Sequence, residues 1–224
     1  MQIYKVKVLR NETFKEEACI IETEKPNGLS FKAGQFMMIH NDKEKRAFSI
    51  ASPPSYKSLL FLVKKHVGGK VSPVLHELKS GNQIEMSGPY GIYTTEKAKN
   101  GELIFIAAGT GIAPFLSMIQ DSLEKESMRE ITLLFGFRKD CYFENEFRGL
   151  ASKYKNFKFL ASCSEPNKNW SGLTGRITKH IKEMVQQAEG KDFFIIGPKE
   201  MISDTERELH ELKVKKENVH IERW

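Results

Sequence analysis

The chain is poor in cysteine, and the spacing of the cysteines excludes two classes of protein. Only three of the 224 residues are cysteine, Cys19, Cys141 and Cys163, and no two of them form a Cys-x-x-Cys pair. Disulfide scaffolds and iron–sulfur clusters both need closer sets of cysteines. We therefore expect three buried, reduced thiols.

Long apolar segments and a targeting leader are also lacking. No apolar run approaches the roughly 18 residues that a membrane helix needs, and the chain opens as Met1-Gln2-Ile3 without a charged and then apolar leader. These features predict a soluble, cytoplasmic protein without a membrane partner.

The pattern of histidines gives no sign of a metal site or of hydrolytic chemistry. No close ligand spacing links His40, His76, His180, His210 and His220. No Ser-His-Asp arrangement is evident either. We expect no bound metal.

A modest excess of basic residues leaves two kinds of partner to consider. The 35 Lys and Arg residues against 29 Asp and Glu give a net charge of +6, which can steer an acidic partner. The lysines are scattered beside glutamates, as in Lys213-Val214-Lys215-Lys216-Glu217, and they form no basic stripe with interleaved aromatics. We therefore expect a solvated surface that suits an acidic protein, and no nucleic-acid partner.

The first half of the chain has the periodicity of short strands. Tyr4, Val6 and Val8 alternate with polar residues, and similar segments occur at residues 18–21, 35–39, 59–63 and 83–86. A small antiparallel β-barrel is predicted. One helix interrupts it, with Ser72 as its expected cap and Pro73 as its first residue.

The second half alternates strands with amphipathic helices after a polar segment at residues 94–101. Strands are predicted at residues 103–107, 131–135, 157–161, 193–196 and 219–221. Such alternation predicts a doubly wound, parallel, five-stranded α/β sheet. If the strand order is 3-2-1-4-5, ligands would bind where the first and fourth strands meet. The expected domains are residues 1–97 and 98–224.

Four motifs in this order carry the chemistry. They are Arg46-Ala47-Phe48-Ser49, Gly68-Gly69-Lys70-Val71-Ser72, Gly109-Thr110-Gly111-Ile112-Ala113-Pro114 and Gly197-Pro198-Lys199-Glu200-Met201. The glycines let backbone N–H groups approach a diphosphate. Each motif alone also fits an ordinary turn, so the inference depends on their order and spacing.

The motif order resembles the ferredoxin–NADP reductase superfamily over nearly the whole chain. The resemblance implies that Arg46 binds the flavin phosphate, that Phe48 stacks on the flavin ring with Ile50 nearby, and that Ser49 approaches flavin N5. It further implies a second FAD segment, which favours FAD over FMN. In that segment Val63, Lys64 and His66 lie beside the dinucleotide, and the phosphates are held by Gly69, Lys70, Val71 and Ser72.

The same resemblance implies an NAD(P)H site in the second domain. Its binding residues would be Gly109, Thr110, Gly111, Pro114, Gly197, Pro198 and Met201. Arg138 follows the second strand, where reductases of this type recognise the adenosine ribose. A basic residue there would bind a 2′-phosphate and so favour NADPH, although it can also lie on the surface or contact either nucleotide.

The end of the chain and two departures from the family pattern also matter. Glu222 and Trp224 resemble the family's carboxyl terminus, where Trp224 would cover the flavin and Glu222 would position a proton-relay water, although a frayed tail is the alternative. Phe48 replaces the usual tyrosine, and Ile196 stands where many relatives have a cysteine near the nicotinamide.

The resemblance implies an FAD-dependent NAD(P)H oxidoreductase that passes electrons to an external acceptor. A ferredoxin, a flavodoxin or an oxygenase component would be that acceptor. Because Ile196 removes the thiol, the alternative is an electron-transfer flavoprotein subunit that is not a competent reductase alone.

Overall fold

The computed structural model describes residues 2–14, 18–98, 101–125, 128–185 and 187–223. The chain forms two compact units. One comprises the residues up to Thr95 together with Ala113–Asp121, and the other comprises Glu96–Ile112 and the residues from Ser122 onward. The boundary between residues 97 and 98 stays a prediction.

The first unit is built on six antiparallel strands. Their order in the sheet is β4-β3-β6-β1-β2-β5, and β4 and β5, at its two ends, approach one another. This arrangement confirms the expected antiparallel barrel. The elements are β1 (Ile3–Phe14), β2 (Ala18–Glu24), β3 (Phe36–Asn41), β4 (Glu44–Ser49), β5 (Ser58–Lys64), α1 (Ser72–Glu77) and β6 (Gln83–Tyr90).

Alternating side chains of these strands fill the interior of the barrel. Val6 and Val8 of β1 are buried while their neighbours are exposed, as the period of two in a strand requires. Ile21 and Phe61 face each other across the β2–β5 pair, and both belong to one apolar core. The hydrophobic pattern therefore sets the register of the barrel.

Strand β4 carries the Arg46 motif, and the hydrophobic pattern did not reveal it. Glu44, Lys45, Arg46 and Ala47 are all exposed, so the strand has no alternating apolar face. Its residues pair with β3, where Arg46 lies opposite Ile39 and Phe48 lies opposite Met37. Backbone pairing with a buried neighbour thus makes this segment a strand.

Helix α1 begins differently from the sequence expectation, and the predicted capping role of Ser72 is wrong. The cap residue is Val71, which makes no side-chain capping bond, and Ser72 is the first residue of the helix. The Ser72 hydroxyl instead accepts a hydrogen bond from the His66 backbone N–H at 3.0 Å. Ser72 therefore closes the preceding loop rather than the helix.

The second unit contains a parallel sheet with strand order β10-β9-β8-β7-β11-β12. The five expected strands occur in the predicted order 3-2-1-4-5, and a short strand, β10, adds a sixth at the edge. The elements of this half of the chain are β7 (Leu103–Ala108), α2 (Ile112–Lys125), β8 (Ile131–Phe137), α3 (Glu144–Lys153), β9 (Phe157–Cys163), β10 (Leu173–Thr174), α4 (Ile181–Met184), β11 (Asp192–Ile196), α5 (Lys199–Glu211) and β12 (Val219–Glu222). Residues Ala113–Asp121 of α2 belong to the first unit.

The central strands of this sheet are buried on both faces. Every residue of β8 and of β11 is buried, which explains their nearly continuous apolar sequence. Helix α5 turns Ile202, Thr205 and Leu209 inward, and Ile202 and Leu209 pack with Ile195 in one core. The core therefore holds the carboxyl ends of the strands in fixed places.

The described residues contain neither a membrane-spanning helix nor a metal-binding cluster. Among these residues, no helix is long and apolar enough to cross a bilayer. Within the same ranges, no group of three or more His, Cys, Asp or Glu side chains is arranged to hold a metal.

Cys19 and Cys163 are buried and Cys141 is half-buried, and burial raises the pKa of both Cys19 and Cys141 to about 12.

Candidate functional site

The Arg46 motif presents a cation and an aromatic ring on one face of β4. Arg46 and Phe48 are two residues apart, so their side chains point the same way. The Arg46 guanidinium donates to Glu44 Oε2 at 3.3 Å and to the Lys45 carbonyl at 2.8 Å, with 60% of its side chain exposed. Because such exposed ion pairs contribute little, an anionic ligand can displace Glu44.

Ser49, the last residue of the motif, and the following Ile50 are both buried. Ser49 is 6% exposed and Ile50 is fully buried, and the Ile50 N–H donates to the Gln35 carbonyl. Phe48 is half-buried and packs against the barrel core. A buried backbone therefore fixes the strand that carries Arg46.

The loop from residue 65 to residue 71 connects β5 to α1 and contains the second glycine motif. The Gly69 N–H donates to the His66 carbonyl at 2.9 Å, and the Lys70 carbonyl accepts from Asn41 Nδ2 at 2.8 Å. Gly68 has a φ of +78°, which favours glycine. These contacts give the loop a defined, tight backbone.

The chemistry of this loop fits a pyrophosphate. In the described part of the chain, no acceptor is recorded for the backbone N–H of Lys70 or of Val71. Free backbone donors next to the exposed Lys64 and Lys70 are groups of the kind that bind phosphate, and the exposed Arg46 of β4 is a further cation in the same unit. The residues present in this structure therefore fit the phosphates of FAD.

Two of the residues expected to bind FAD have their side chains in the core. Val63 is fully buried and Val71 is 1% exposed, both within the apolar interior of the barrel. Their side chains are turned away from solvent, so only their backbone atoms can meet a ligand. Lys64 and His66, in contrast, are exposed.

In the second unit, the loops after β7 and β11 line one cavity. The cavity measures about 300 Å³, and its walls include Ala108 and Gly109 at the end of the first strand and Pro198 and Met201 after the fourth. The strand order places these loops together because β7 and β11 are neighbours. A cavity is therefore present where the strand order brings these loops together, and the backbone at Gly109 fits the diphosphate of a dinucleotide.

Glycines let the backbone close tightly around this cavity. A Cβ on Gly111 would lie 2.8 Å from the Ile196 carbonyl, and one on Gly136 would lie 2.9 Å from Ile177 Cγ2. Gly109 has a φ of +58° and open space where a Cβ would be. Gly111 thus brings the first strand end against the fourth, while Gly109 leaves room for a ligand.

The cavity has two arginines, only one of which the sequence indicated. Arg138 lines it, as expected, and its Nε donates to Glu165 Oε1 at 2.6 Å. Arg176 also lines it, and in the described residues no ionic partner of its side chain is recorded. Sequence reasoning missed Arg176 because it follows the two-residue strand β10, which has no periodic pattern. Ser164, Thr178 and Asp204 were missed for the same lack of a local signal.

Glu222 lies at the same edge of the sheet, on the last strand. It is paired with Ile196, whose carbonyl contacts the Gly111 turn. Its Oε2 is buried and has no hydrogen-bond partner among the described residues. Burial raises the pKa of Glu222 to about 7, although Lys97 acts in the opposite direction. The carboxyl group is therefore held protonated to a higher pH than usual. Trp224, the other expected terminal residue, lies outside the described residues.

Comparison with known proteins identifies both halves of the chain. Residues 12–94 match the oxidoreductase FAD-binding domain, and residues 105–207 match the oxidoreductase NAD-binding domain. Ferredoxin–NADP reductase B of Sorangium cellulosum is 32% identical over 209 residues, which cover 87% of this chain and 85% of that protein. The chain belongs to the ferredoxin–NADP reductase superfamily.

Other members of the superfamily are similar in sequence or in fold. The phenol hydroxylase P5 protein of Acinetobacter pittii is 32% identical over 205 residues, covering 88% of this chain but only 58% of that protein. A crystal structure of a ferredoxin NADP⁺ reductase from Neisseria gonorrhoeae with bound FAD and NADP has a TM-score of 0.85 at 23% identity, covering 99% of this chain and 98% of that one. This second likeness shows the shared fold.

Proposed function

We propose that the protein is an FAD-dependent oxidoreductase that takes electrons from NAD(P)H and passes them to an external acceptor. Residues 1–97 form its flavin domain and residues 98–224 its nucleotide domain. The observation that supports the proposal is the presence of two separate clusters of groups that can bind an anion, different in construction, in one chain. One is the exposed Arg46 with the loop at Gly69 and Lys70, and the other is the cavity at the ends of β7 and β11.

In the flavin domain, each residue of the motif has a different task. Arg46 and the Lys70 N–H bind the phosphates, and Phe48 gives an apolar surface for the ring. Ser49 holds a hydroxyl at the end of β4, where the chain turns inward. When bound, FAD would supply the redox chemistry, accepting a hydride and releasing electrons singly.

In the nucleotide domain, the chain binds and orients the donor. The open face at Gly109 admits the diphosphate, and Thr110 offers a hydroxyl beside it. Pro198 and Met201 form the opposite wall of the cavity. Glu222 holds a proton on a buried carboxyl group near this edge, where it would serve a proton relay.

We infer that NADPH is the preferred donor. Arg138 and Arg176 line the same cavity, and guanidinium groups bind phosphate by paired, charge-assisted hydrogen bonds. Arg138 must first give up an exposed ion pair with Glu165, whereas no ionic partner of the Arg176 side chain is recorded among the described residues, so Arg176 is the readier partner for a 2′-phosphate. NADH lacks that phosphate and would leave Arg176 without its ligand.

The proposed acceptor is an acidic redox protein. The net charge of +6 favours such a partner, and the three cysteines do not form a cluster-binding set that could relay electrons within this chain. A ferredoxin, a flavodoxin or an oxygenase component would suit. The phenol hydroxylase P5 protein and the Sorangium reductase carry names of such systems. The cytoplasmic location expected from the sequence stays a prediction.

A second candidate is an electron-transfer flavoprotein subunit that is not a competent reductase alone. The observation that favours it is Ile196, which is fully buried at the end of β11 and contacts Gly111. An aliphatic side chain there offers no thiol to the nicotinamide.

Anaerobic stopped-flow mixing tests the two candidates. The FAD bound to the purified protein should be reduced by NADPH, and more slowly by NADH. No added protein should be needed, since both proposed sites lie in this chain. A screen of ferredoxins, flavodoxins and small oxidants then identifies the acceptor. If FAD binds stoichiometrically but neither nucleotide reduces it, the reductase proposal fails. Reduction only with a partner protein would support the subunit.

A further inference from the structure

Asn11 of β1 makes an unusual set of contacts with the end of helix α1. Its Nδ2 donates to the carbonyl oxygens of Leu75, Leu78 and His76 at 3.0, 2.9 and 3.3 Å. An amide nitrogen has two hydrogens, so the three acceptors share them. Leu75 and His76 lie in the last turn of α1 and Leu78 is its cap residue, so the bonds reach the end of the helix, where carbonyl groups lack intrahelical partners. The Leu75 carbonyl also accepts from the Leu78 N–H at 3.4 Å.

The orientation of this side chain is fixed by its surroundings. Three carbonyl oxygens face Nδ2, and only a donor can meet them. The other side-chain atom, Oδ1, is buried and has no hydrogen-bond partner among the described residues. Leaving a buried acceptor unpaired is unfavourable, so the contacts on the Nδ2 side must outweigh that cost. The Asn11 side chain therefore serves to hold the end of helix α1 by its Nδ2 hydrogen bonds.

Helix α1 depends on such external contacts for its position. It has six residues, and a helix of that length is not stable alone. Leu75 anchors it in the barrel core, and His76 Nε2 contacts the Val63 carbonyl at 3.0 Å. Apolar packing is not directional, whereas hydrogen bonds are. The His76 bond ties the helix to β5, and the three Asn11 bonds tie its carboxyl end to β1 and so restrict movement along its axis.

The position of α1 sets the geometry of the loop before it. Ser72, the first residue of the helix, accepts the hydrogen bond from the His66 N–H, and Val71 directly precedes the helix. A shift of the helix therefore moves the Lys70 and Val71 N–H groups, which we assign to the FAD phosphates.

We propose that Asn11 is a positioning residue for FAD, which acts from β1 through helix α1 on the phosphate loop. This inference rests on the proposed function, because it takes the loop at Gly69–Ser72 as part of the FAD site. Asn11 does not itself contact the cofactor. Its role is to keep the loop donors in the binding geometry before FAD arrives, which lowers the cost of ordering the loop on binding.

The test compares FAD binding by Asn11→Asp, Asn11→Ala and Asn82→Ala with that of the wild-type protein. In N11D, a carboxylate of the same shape faces three carbonyl oxygens and repels them, so we expect FAD affinity to fall about 10-fold or more, mainly through faster dissociation. N11A removes the bonds without adding charge, so about a 3-fold loss is expected. It also keeps the test decisive if N11D does not fold.

Asn82 is the matched control. Its Oδ1 accepts from the Lys79 N–H at 2.8 Å, and this side-chain bond lies in the turn that follows α1, whereas the phosphate loop precedes that helix. N82A should change FAD affinity less than about 2-fold, because it loses a local bond of the same kind without moving the loop.

The measurements are the FAD dissociation constant and dissociation rate by flavin fluorescence, the urea midpoint of FAD-free protein, and NADP⁺ affinity. A positioning role lowers FAD affinity and the stabilisation that FAD confers, while NADP⁺ affinity stays constant. Unchanged FAD affinity in both Asn11 variants overturns the inference, as does an equal loss in N82A. Failure of the wild-type protein to bind FAD would instead refute the proposed function.

Discussion

Glu222 shows how one side chain can make stability depend on pH. Its Oε2 is buried without a hydrogen-bond partner among the described residues, and burial raises the pKa of its carboxyl group to about 7. The folded protein therefore binds this proton more tightly than the unfolded chain. The stabilisation is complete below the unfolded pKa of about 4.5 and is lost as the pH rises to about 7.

Replacing Glu222 with Gln should remove this pH dependence. The amide stays neutral, so E222Q should gain stability over the wild-type protein at pH 8, on the order of 1–3 kcal/mol, but not at pH 4.5. Urea unfolding at both pH values measures the difference. The exposed Glu130→Gln variant is the control, and it should show no such change between the two conditions. Equal effects of E222Q at both pH values would contradict the raised pKa.

At the scale of the element, the carboxyl ends of the parallel strands determine which side chains share the nucleotide cavity. Arg138 follows β8, and Arg176 follows the short strand β10. The parallel pairing of β8, β9 and β10 brings their ends to one edge. Two arginines that are distant in sequence thereby reach the same ligand.

Replacing Arg176 with Ala should lower the preference for NADPH. Loss of a charged hydrogen bond to the 2′-phosphate should weaken NADP⁺ binding roughly 10-fold to 100-fold, while NAD⁺ binding changes little. Titrations with the two oxidised nucleotides measure this. Lys179→Ala removes the same charge from an exposed residue that does not line the cavity, so it should affect neither titration. Parallel losses of both nucleotides in R176A would argue against 2′-phosphate recognition.

At the scale of the whole molecule, the chain carries its two proposed sites in two separate units. The Arg46 motif and the phosphate loop belong to the first unit, and every residue that lines the nucleotide cavity belongs to the second. Each unit also has its own apolar core. Binding of FAD and binding of NAD(P)H should therefore be separable by mutation.

Replacing Arg46 with Ala should weaken FAD retention without weakening NADP⁺ binding. One charged hydrogen bond to a phosphate is lost, so the FAD dissociation constant should rise roughly 10-fold to 100-fold. Lys45→Ala is the matched control, since Lys45 is the exposed neighbour whose side chain points to the other face of β4. Flavin fluorescence and NADP⁺ titration report the two sites. Equal losses of both ligands would indicate general unfolding instead.

Much of the fold follows from the sequence because strand and helix periodicity depend on near neighbours along the chain. The alternation at Val6 and Val8 and the apolar run of β8 each reflect how many faces of a strand are buried. The handedness of the connections limits the possible orders of the parallel strands, and the structure gives the one that occurs. Strands β4 and β10 were not predicted from the sequence, because an exposed or very short strand has no such period.

The sequence by itself determined the two-domain plan, the superfamily and the motifs at Arg46, Gly69 and Gly109. Only the tertiary structure placed Arg176 in the nucleotide cavity, buried Glu222 without a partner, and brought Asn11 to the end of α1. The physical reason is distance along the chain. Contacts of this kind depend on which strands lie side by side and on how far each helix is displaced, and no local pattern of residues records either.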